Sequence, residues 1–253
     1  MQRLVNPIAE RALIHTREIA SRLPAPLISR LQGAAGRLVS RSPAALSLLY
    51  GSDKAENHYT SHYRAFLGPL RSQPLTLLEI GVLGGASLRM WRRYLPSATI
   101  VGIDSELEHR LPDLGLPGVE MHVGDQSDQA FLNSLISRYG GFDVVIDDGS
   151  HIGRHIRASF DVLYPAVRPG GWYVIEDLGT SYWEDFEGGP PGTAGTAVEL
   201  VKGLVDHTQL WSGVHDVAEL HLFPSIAFIR KAGPTRGVAR LAEPTTRREP
   251  ASA

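Results

Sequence analysis

The stretch VVIDDGSHIGRH, residues 144–155, carries the fold reading of this chain. Val144, Val145 and Ile146 are apolar and β-branched, the composition of a buried strand. The run stops on two adjacent carboxylates, Asp147 and Asp148, and Gly149, Ser150 and His151 follow. A helix-like stretch then continues to about residue 164. A strand that is apolar throughout and runs into a helix is the repeating unit of a parallel sheet covered on both faces.

The unit recurs on both sides. TLLEIGV (76–82) is a strand-like run with a helix-like stretch near 86–94. TIVGID (99–104) and VEMHVG (119–124) are the next two runs. SDQAFLNSLISRYG follows the third and opens on a serine suited to cap a helix, Ser127. FDVVIDD (142–148) is the fourth run and GWYVIED (171–177) the fifth. VHDVAELHLF and SIAFIRK flank Pro224 and Ser225 and read as an antiparallel hairpin. The expectation is an α/β fold: a doubly wound, mostly parallel, seven-stranded Rossmann-like sheet with a C-terminal antiparallel hairpin.

The 253 residues suit one domain with a small extension. Residues 1–50 read as amphipathic helices punctuated by Pro24, Pro26 and Pro43, serving as a cap, a lid or a contact in a homo-oligomer. Residues 51–233 form the expected domain, and residues 234–253, rich in Pro, Arg, Thr and Ala, a disordered tail. A net charge of −2 supplies no basic field for nucleic acid. The absence of cysteine excludes a disulfide scaffold, a thiolate zinc site and a cysteine nucleophile, and suits the cytoplasm. No run approaches the ~18 apolar residues of a membrane span, and the N-terminus does not read as a secretory signal. Lysine occurs only at positions 54, 202 and 231.

In open α/β sheets ligands bind beyond the carboxyl ends of the strands. Each of the five runs ends on or near an acid there: Glu79, Asp104, Asp125, the pair Asp147-Asp148 and the pair Glu176-Asp177. The first turn has the spacing Glu79-x-Gly81-x-x-x-Gly85-x-Ser87 and lacks the second glycine of a dinucleotide fingerprint. Asp104 is placed to accept ribose hydroxyls, and Asp125, with Gln126 beside it, to meet an adenine. No Lys or Arg lies in the glycine turn to meet a phosphate. Together these point to an adenosine cofactor without a pyrophosphate, S-adenosylmethionine rather than a nucleotide.

LLEIGVLGGASLRMW, VGID, GD, VVIDDGSH and VIEDL together resemble the class I S-adenosylmethionine-dependent methyltransferases. More narrowly they are similar to the metal-dependent sugar O-methyltransferases of the mycinamicin and tylosin macrolide type and to actinobacterial relatives acting on glycans. GSDKAENHYTSHYRAFL (51–67) is similar to that subgroup too, and the resemblance implies that Tyr59 and Tyr63 close over the cofactor. It covers residues 50 to 230 or so. Its implied activity is methyl transfer to a hydroxyl of a sugar or glycoside acceptor.

In such a sheet the fourth and fifth strands are neighbours, so Asp148, Glu176 and Asp177 would meet in one cleft. Carboxylates that close repel unless one is protonated or a cation intervenes. All-oxygen ligands suit a hard ion, Mg²⁺ first, with Mn²⁺ or Ca²⁺ as substitutes. The resemblance gives the same three residues as metal ligands and His151 as general base. The bland alternative for His151 is a helix cap or a satisfied hydrogen bond. His155 would share a helical face with it as a structural or supporting group. Asp147 is either a supporting acid or an acceptor that stabilises the fold. Tyr182 and Trp183 form either an aromatic wall for a sugar or ordinary core. A catechol-type O-methyltransferase would need a lysine after the fourth strand, where His151 stands; a NAD-dependent dehydrogenase would need the missing glycine. A non-catalytic binding module would have no use for a clustered acid site.

Overall fold

A computed structural model describes residues 25–105, 115–210 and 216–233. The five parallel strands are β1 (Thr76–Ile80), β2 (Thr99–Asp104), β3 (Val119–Val123), β4 (Phe142–Asp147) and β5 (Val167–Ile175). The expected hairpin is present as β6 (Val217–Phe223) and β7 (Ile226–Lys231). The sheet order is β3-β2-β1-β4-β5-β7-β6, with β7 antiparallel to both β5 and β6. Strand order reverses between β1 and β4, which pair with Leu77 opposite Val144 and Ile80 opposite Asp147. That reversal opens a crevice beyond the strand ends.

Alternation along the strands builds two cores. Leu78, Ile80, Val101, Ile103, Val145 and Tyr173 face one side of the sheet. There they meet α5 (Gln129–Tyr139), α6 (Gly153–Ala166) and α7 (Ala197–Leu210). Leu77, Ile100, Val144, Ile146 and Val174 face the other. They meet α2 (Pro43–Tyr50), α3 (Thr60–Leu67) and α4 (Ala86–Tyr94) through Leu46, Tyr63, Leu67, Leu88 and Trp91. Both faces of the central strands β1, β2 and β4 are covered, which is why these strands read as apolar runs, whereas the edge strands β3 and β6 are partly exposed and alternate polar residues.

The N-terminal helices are α1 (Ala25–Leu38) and α2. Ser42 caps α2 by accepting from the Ala45 amide at 3.2 Å, with Pro43 in the first turn, and Gly51 ends it at φ 82°. Leu46 is fully buried, so α2 packs as part of the domain core. The expected helices before residue 25 and the tail after residue 233 lie outside the described residues. Among the described residues no helix is long and apolar enough to cross a membrane.

Two local expectations are corrected. Ser127 does not cap α5: the cap is Asp128, whose side chain accepts from the amides of Ala130 and Phe131. Ser127 instead donates to Asp125 from its amide and its hydroxyl, both at 2.7 Å. His151 and His155 do not share a helical face, because His151 precedes α6 with φ 58°.

Candidate active site

The crevice at the β1/β4 switch is a cleft of about 640 Å³. It is lined by the glycine turn after β1, by Asp104, by Gly124 to Gln126, by Asp148 to His151, and by Gly51 to Asp53. Gly81 shapes it. Its φ is 80°, and a Cβ there would lie 2.0 Å from the Asp148 carbonyl oxygen. Only glycine lets β1 and the Asp148 loop approach so closely. Asp104 Oδ2 accepts from the amides of Val82 (3.0 Å) and Leu83 (2.8 Å), so this strand-end acid holds the turn in place. Gly85 closes the turn by donating to the Val82 carbonyl at 2.7 Å and starts α4 at φ 71°. Ser87 lines the cleft and donates to Glu79 Oε2 at 2.7 Å.

On the far wall, Asp125 is exposed, and the Ser127 amide and hydroxyl hold its carboxyl below the usual range. Gln126 is buried; its Nε2 donates to Asp147 Oδ1 (3.1 Å) and its Oε1 accepts from the Ser150 amide (2.7 Å). The Gln126 amide thereby ties the ends of β3 and β4 together.

Beyond the glycine turn, oxygen atoms of Asp148 and Asp177 and a ring nitrogen of His151 lie within 4.8 Å of one another. His151 Nε2 is 3.7 Å from Asp177 Oδ2. Both His151 and Asp177 sit in the left-handed region, at φ 58° and 53°. Such strain in non-glycine residues persists only where surroundings impose it, and it clusters at functional sites. The surroundings here are specific. Thr180 Oγ1 donates to the Asp177 carbonyl at 2.7 Å and to the His151 carbonyl at 3.4 Å. Tyr59 donates to Asp177 Oδ1 at 2.6 Å.

Glu176 turns the other way. It is 1 % exposed and faces Lys54, whose Nζ lies 2.7 Å from Glu176 Oε1, 2.8 Å from Asp148 Oδ2 and 3.2 Å from Glu79 Oε1. The Tyr63 hydroxyl also donates to Glu176 Oε1. Burial pushes the Glu176 carboxyl up to about 7, although Lys54 and Tyr63 draw it down. Burial, then Glu176, pushes Asp148 well above the carboxylate range. Burial alone would lower the Lys54 ammonium, but Asp148, Glu176 and Glu79 outweigh it and hold its pKa well above the lysine value. Asp147 is a fold-stabilising acceptor: 1 % exposed, it takes hydrogen bonds from Ser159 (2.5 Å), Tyr173 (2.9 Å) and Gln126.

The structure brings Gly81, Ser87, Asp104, Asp125, Gln126, Asp148, His151 and Asp177 to one cleft. Tyr59, Tyr63, Glu79, Gly85 and Glu176, also expected at the site, are not among the residues that line it. Tyr59, Tyr63, Glu79 and Glu176 are buried: Tyr63 and Lys54 donate to Glu176, Ser87 donates to Glu79, and Tyr59 donates to Asp177. Sequence reasoning missed Lys54, which is buried with them. The available signal was a lone lysine, in an arginine-rich chain, within the GSDK element. It also missed Phe186, whose ring lies 5.8 Å from that of His151 and 6.0 Å from that of Trp183. Tyr182 and Trp183 are 45 % and 59 % exposed, so they are not core residues.

Comparison with known proteins agrees with this architecture. Residues 78–178 match a methyltransferase domain family. The chain is 39 % identical over 241 residues to the 8-demethyl-8-alpha-L-rhamnosyl tetracenomycin-C 2'-O-methyltransferase of Streptomyces olivaceus, covering 87 % of this chain and 63 % of that one. It is 40 % identical over 194 residues to the mycinamicin VI 2''-O-methyltransferase of Micromonospora griseorubida, covering 69 % of this chain and 47 % of that one. The chain thus spans about half the length of the curated relatives it matches. The solved MycE methyltransferase of the mycinamycin pathway, in complex with Mg, SAH and mycinamycin VI, superposes with a TM-score of 0.71 at 36 % identity, over 81 % of this chain and 57 % of that one. Residues 78–178 thus carry a methyltransferase domain, and the relatives this chain resembles are sugar O-methyltransferases of macrolide and polyketide glycosides.

Proposed function

We propose that the chain transfers a methyl group from S-adenosylmethionine to a hydroxyl of a glycoside-borne sugar, assisted by Mg²⁺. The observation that carries this reading is the convergence of Asp148, Asp177 and His151 at the mouth of the cleft that the glycine turn shapes. The donor set fits a hard cation: two carboxylates face one point, with a backbone that holds both. Asp148, Asp177 and Glu176, the neighbour of Asp177 in the chain, would hold the ion. When bound, the cation lowers the pKa of an acceptor hydroxyl, and S-adenosylmethionine supplies the methyl.

The chain's own residues do the rest. Asp104, the glycine turn and Asp125 would receive the cofactor along the β1–β3 edge. His151 accepts the proton of the acceptor hydroxyl at Nε2. It is the base rather than a metal ligand, because magnesium prefers oxygen. Lys54 cannot serve as a catechol-type base, since its ammonium is fully buried and donates to Asp148 and Glu176, with Glu79 Oε1 3.2 Å away. Phe186 and the exposed Trp183 lie beside His151, their rings tilted to one another by 54°, and would offer aromatic surface to a sugar ring. A cytoplasmic setting and a homo-oligomer held by the N-terminal helices complete the proposal.

The test is mass spectrometry of a panel of rhamnosides and macrolide glycosides incubated with S-adenosylmethionine, with Mg²⁺ and with EDTA. A methyl gain on the sugar that EDTA abolishes supports the reading. Methylation that survives EDTA removes the cation. In parallel, His151→Ala should lose turnover at unchanged Mg²⁺ affinity; lost Mg²⁺ binding would make His151 a ligand instead.

A further inference from the structure

At the other end of the strands, arginines converge. Arg37, Arg71, Arg92 and Arg93 line one cavity of about 330 Å³. Arg37 stands in the last turn of α1, Arg92 and Arg93 in the last turn of α4, and Arg71 ahead of β1. Leu116 and Pro117, just ahead of β3, line it too. These are the amino ends of β1 to β3, so the strands separate this cavity from the cleft at their carboxyl ends.

Helix ends account for part of the clustering. Arg71 donates from Nε to the Tyr94 carbonyl at 2.8 Å and from Nη2 to the Ser40 carbonyl at 3.2 Å. Arg92 donates from Nε and Nη1 to the carbonyls of Pro117 and Pro96, both at 2.6 Å. Those bonds fix two guanidiniums in place without neutralising them. Arg37 and Arg93 make no such bond among the described residues. No described carboxylate lines the cavity or pairs with any of the four, whereas Arg138, Arg154, Arg157, Arg168 and Arg230 each have an acid. A helix C-terminus carries about half a negative charge, so the ends of α1 and α4 offset only about one of the four positive charges. The remainder repel one another until an anion arrives.

We propose that this cavity binds a small molecule bearing a diphosphate, at a site separate from the cleft. The planar fork of arginine meets phosphate oxygens two at a time. One phosphoryl group brings ~1.5–2 negative charges, so two linked groups come nearer than one to the ~3 positive charges left over. Leu116 and Pro117 give an apolar wall to the organic part of such an ester. A concave site in a chain of net charge −2 suits a small ligand better than a nucleic acid.

The test is calorimetric titration of the full chain with inorganic phosphate, pyrophosphate and ADP, in EDTA and with S-adenosylhomocysteine in excess so that ADP does not enter the cleft. The variants are Arg93→Gln and Arg37→Gln, with Arg138→Gln as a control that removes the same charge outside the cavity, and thermal unfolding confirms that each is folded. Pyrophosphate should bind with a Kd below ~1 mM, more tightly than phosphate, and ADP at least as well as pyrophosphate. Each cavity variant should weaken pyrophosphate ~10-fold, the loss of one charge-assisted contact, and Arg138→Gln should change it less than ~2-fold. Should Arg93→Gln fail to fold, Arg37→Gln carries the comparison, since its side chain is exposed. No pyrophosphate binding at ~1 mM overturns the proposal, as does undiminished binding in a folded cavity variant. Equal weakening by Arg138→Gln would reduce the effect to general charge, and duplex DNA that displaces pyrophosphate would make the cavity part of a polyanion surface; either result overturns it too.

Discussion

Gly81→Ala tests whether one close backbone approach builds the site. The added Cβ would lie 2.0 Å from the Asp148 carbonyl oxygen and 2.7 Å from the Gly149 Cα. Contacts under 3.0 Å are essentially never seen for a Cβ, so the Asp148 loop must move by about 1 Å or more. Neither contact is a flexible side chain that can swing aside. The φ of 80° adds about 1–2 kcal/mol for a residue with a Cβ. Moving the loop also strains the hydrogen bond from the Asp148 amide to the Ile80 carbonyl, now 3.0 Å, worth a further ~1 kcal/mol. With the clash, the total should be ~3–5 kcal/mol, in the range reserved for core damage. Urea denaturation would measure it, with Mg²⁺ titration reporting on the displaced Asp148. Gly84→Ala is the control: it lines the same cleft, and a Cβ there meets nothing within 4 Å. A loss under ~1 kcal/mol in Gly81→Ala, with Mg²⁺ affinity intact, would refute the view that this contact sets the Asp148 loop.

Asp147→Ala should cost ~3 kcal/mol, because Ser159, Tyr173 and Gln126 lose a shared buried acceptor; a urea midpoint like the wild type's would contradict this. The folded Glu176 carboxyl titrates at about 7 against an ordinary 4.5, with burial the largest cause. Between those values the folded chain holds a proton that the unfolded chain has released, so stability in EDTA should fall as pH rises from 4.5 toward 7. Asp148, raised likewise, acts with the same sign. Glu176→Gln should flatten part of that slope, and an unchanged slope would reassign it. Trp183→Ala should raise the acceptor KM ~10-fold at little change in kcat; an unaltered KM would remove the aromatic face from acceptor binding.

Much of this was legible in residue order. Strand periodicity is local, so the five apolar runs and the closing hairpin placed all seven strands, with β2 at its expected limits and β5 starting four residues early at Val167. The edge that bears the site followed as well, since a parallel sheet puts every strand's carboxyl end on one side. The strand-end acids Asp148, Glu176 and Asp177 followed from that rule, and His151 from its place three residues after Asp148 together with the family resemblance. What residue order could not decide is which of two adjacent acids faces the cleft. Glu176 and Asp177 are neighbours in the chain, yet the left-handed backbone at Asp177 sends one toward His151 and leaves the other buried against Lys54. Lys54 and Glu176 are separated by 122 positions, and their pairing depends on how α2 and α3 pack over the sheet. Local pattern specifies strands and helices because backbone propensities act over a few residues. The partner of a buried charge is decided by the whole packed chain, where burial and the three-dimensional sum of nearby charges act together.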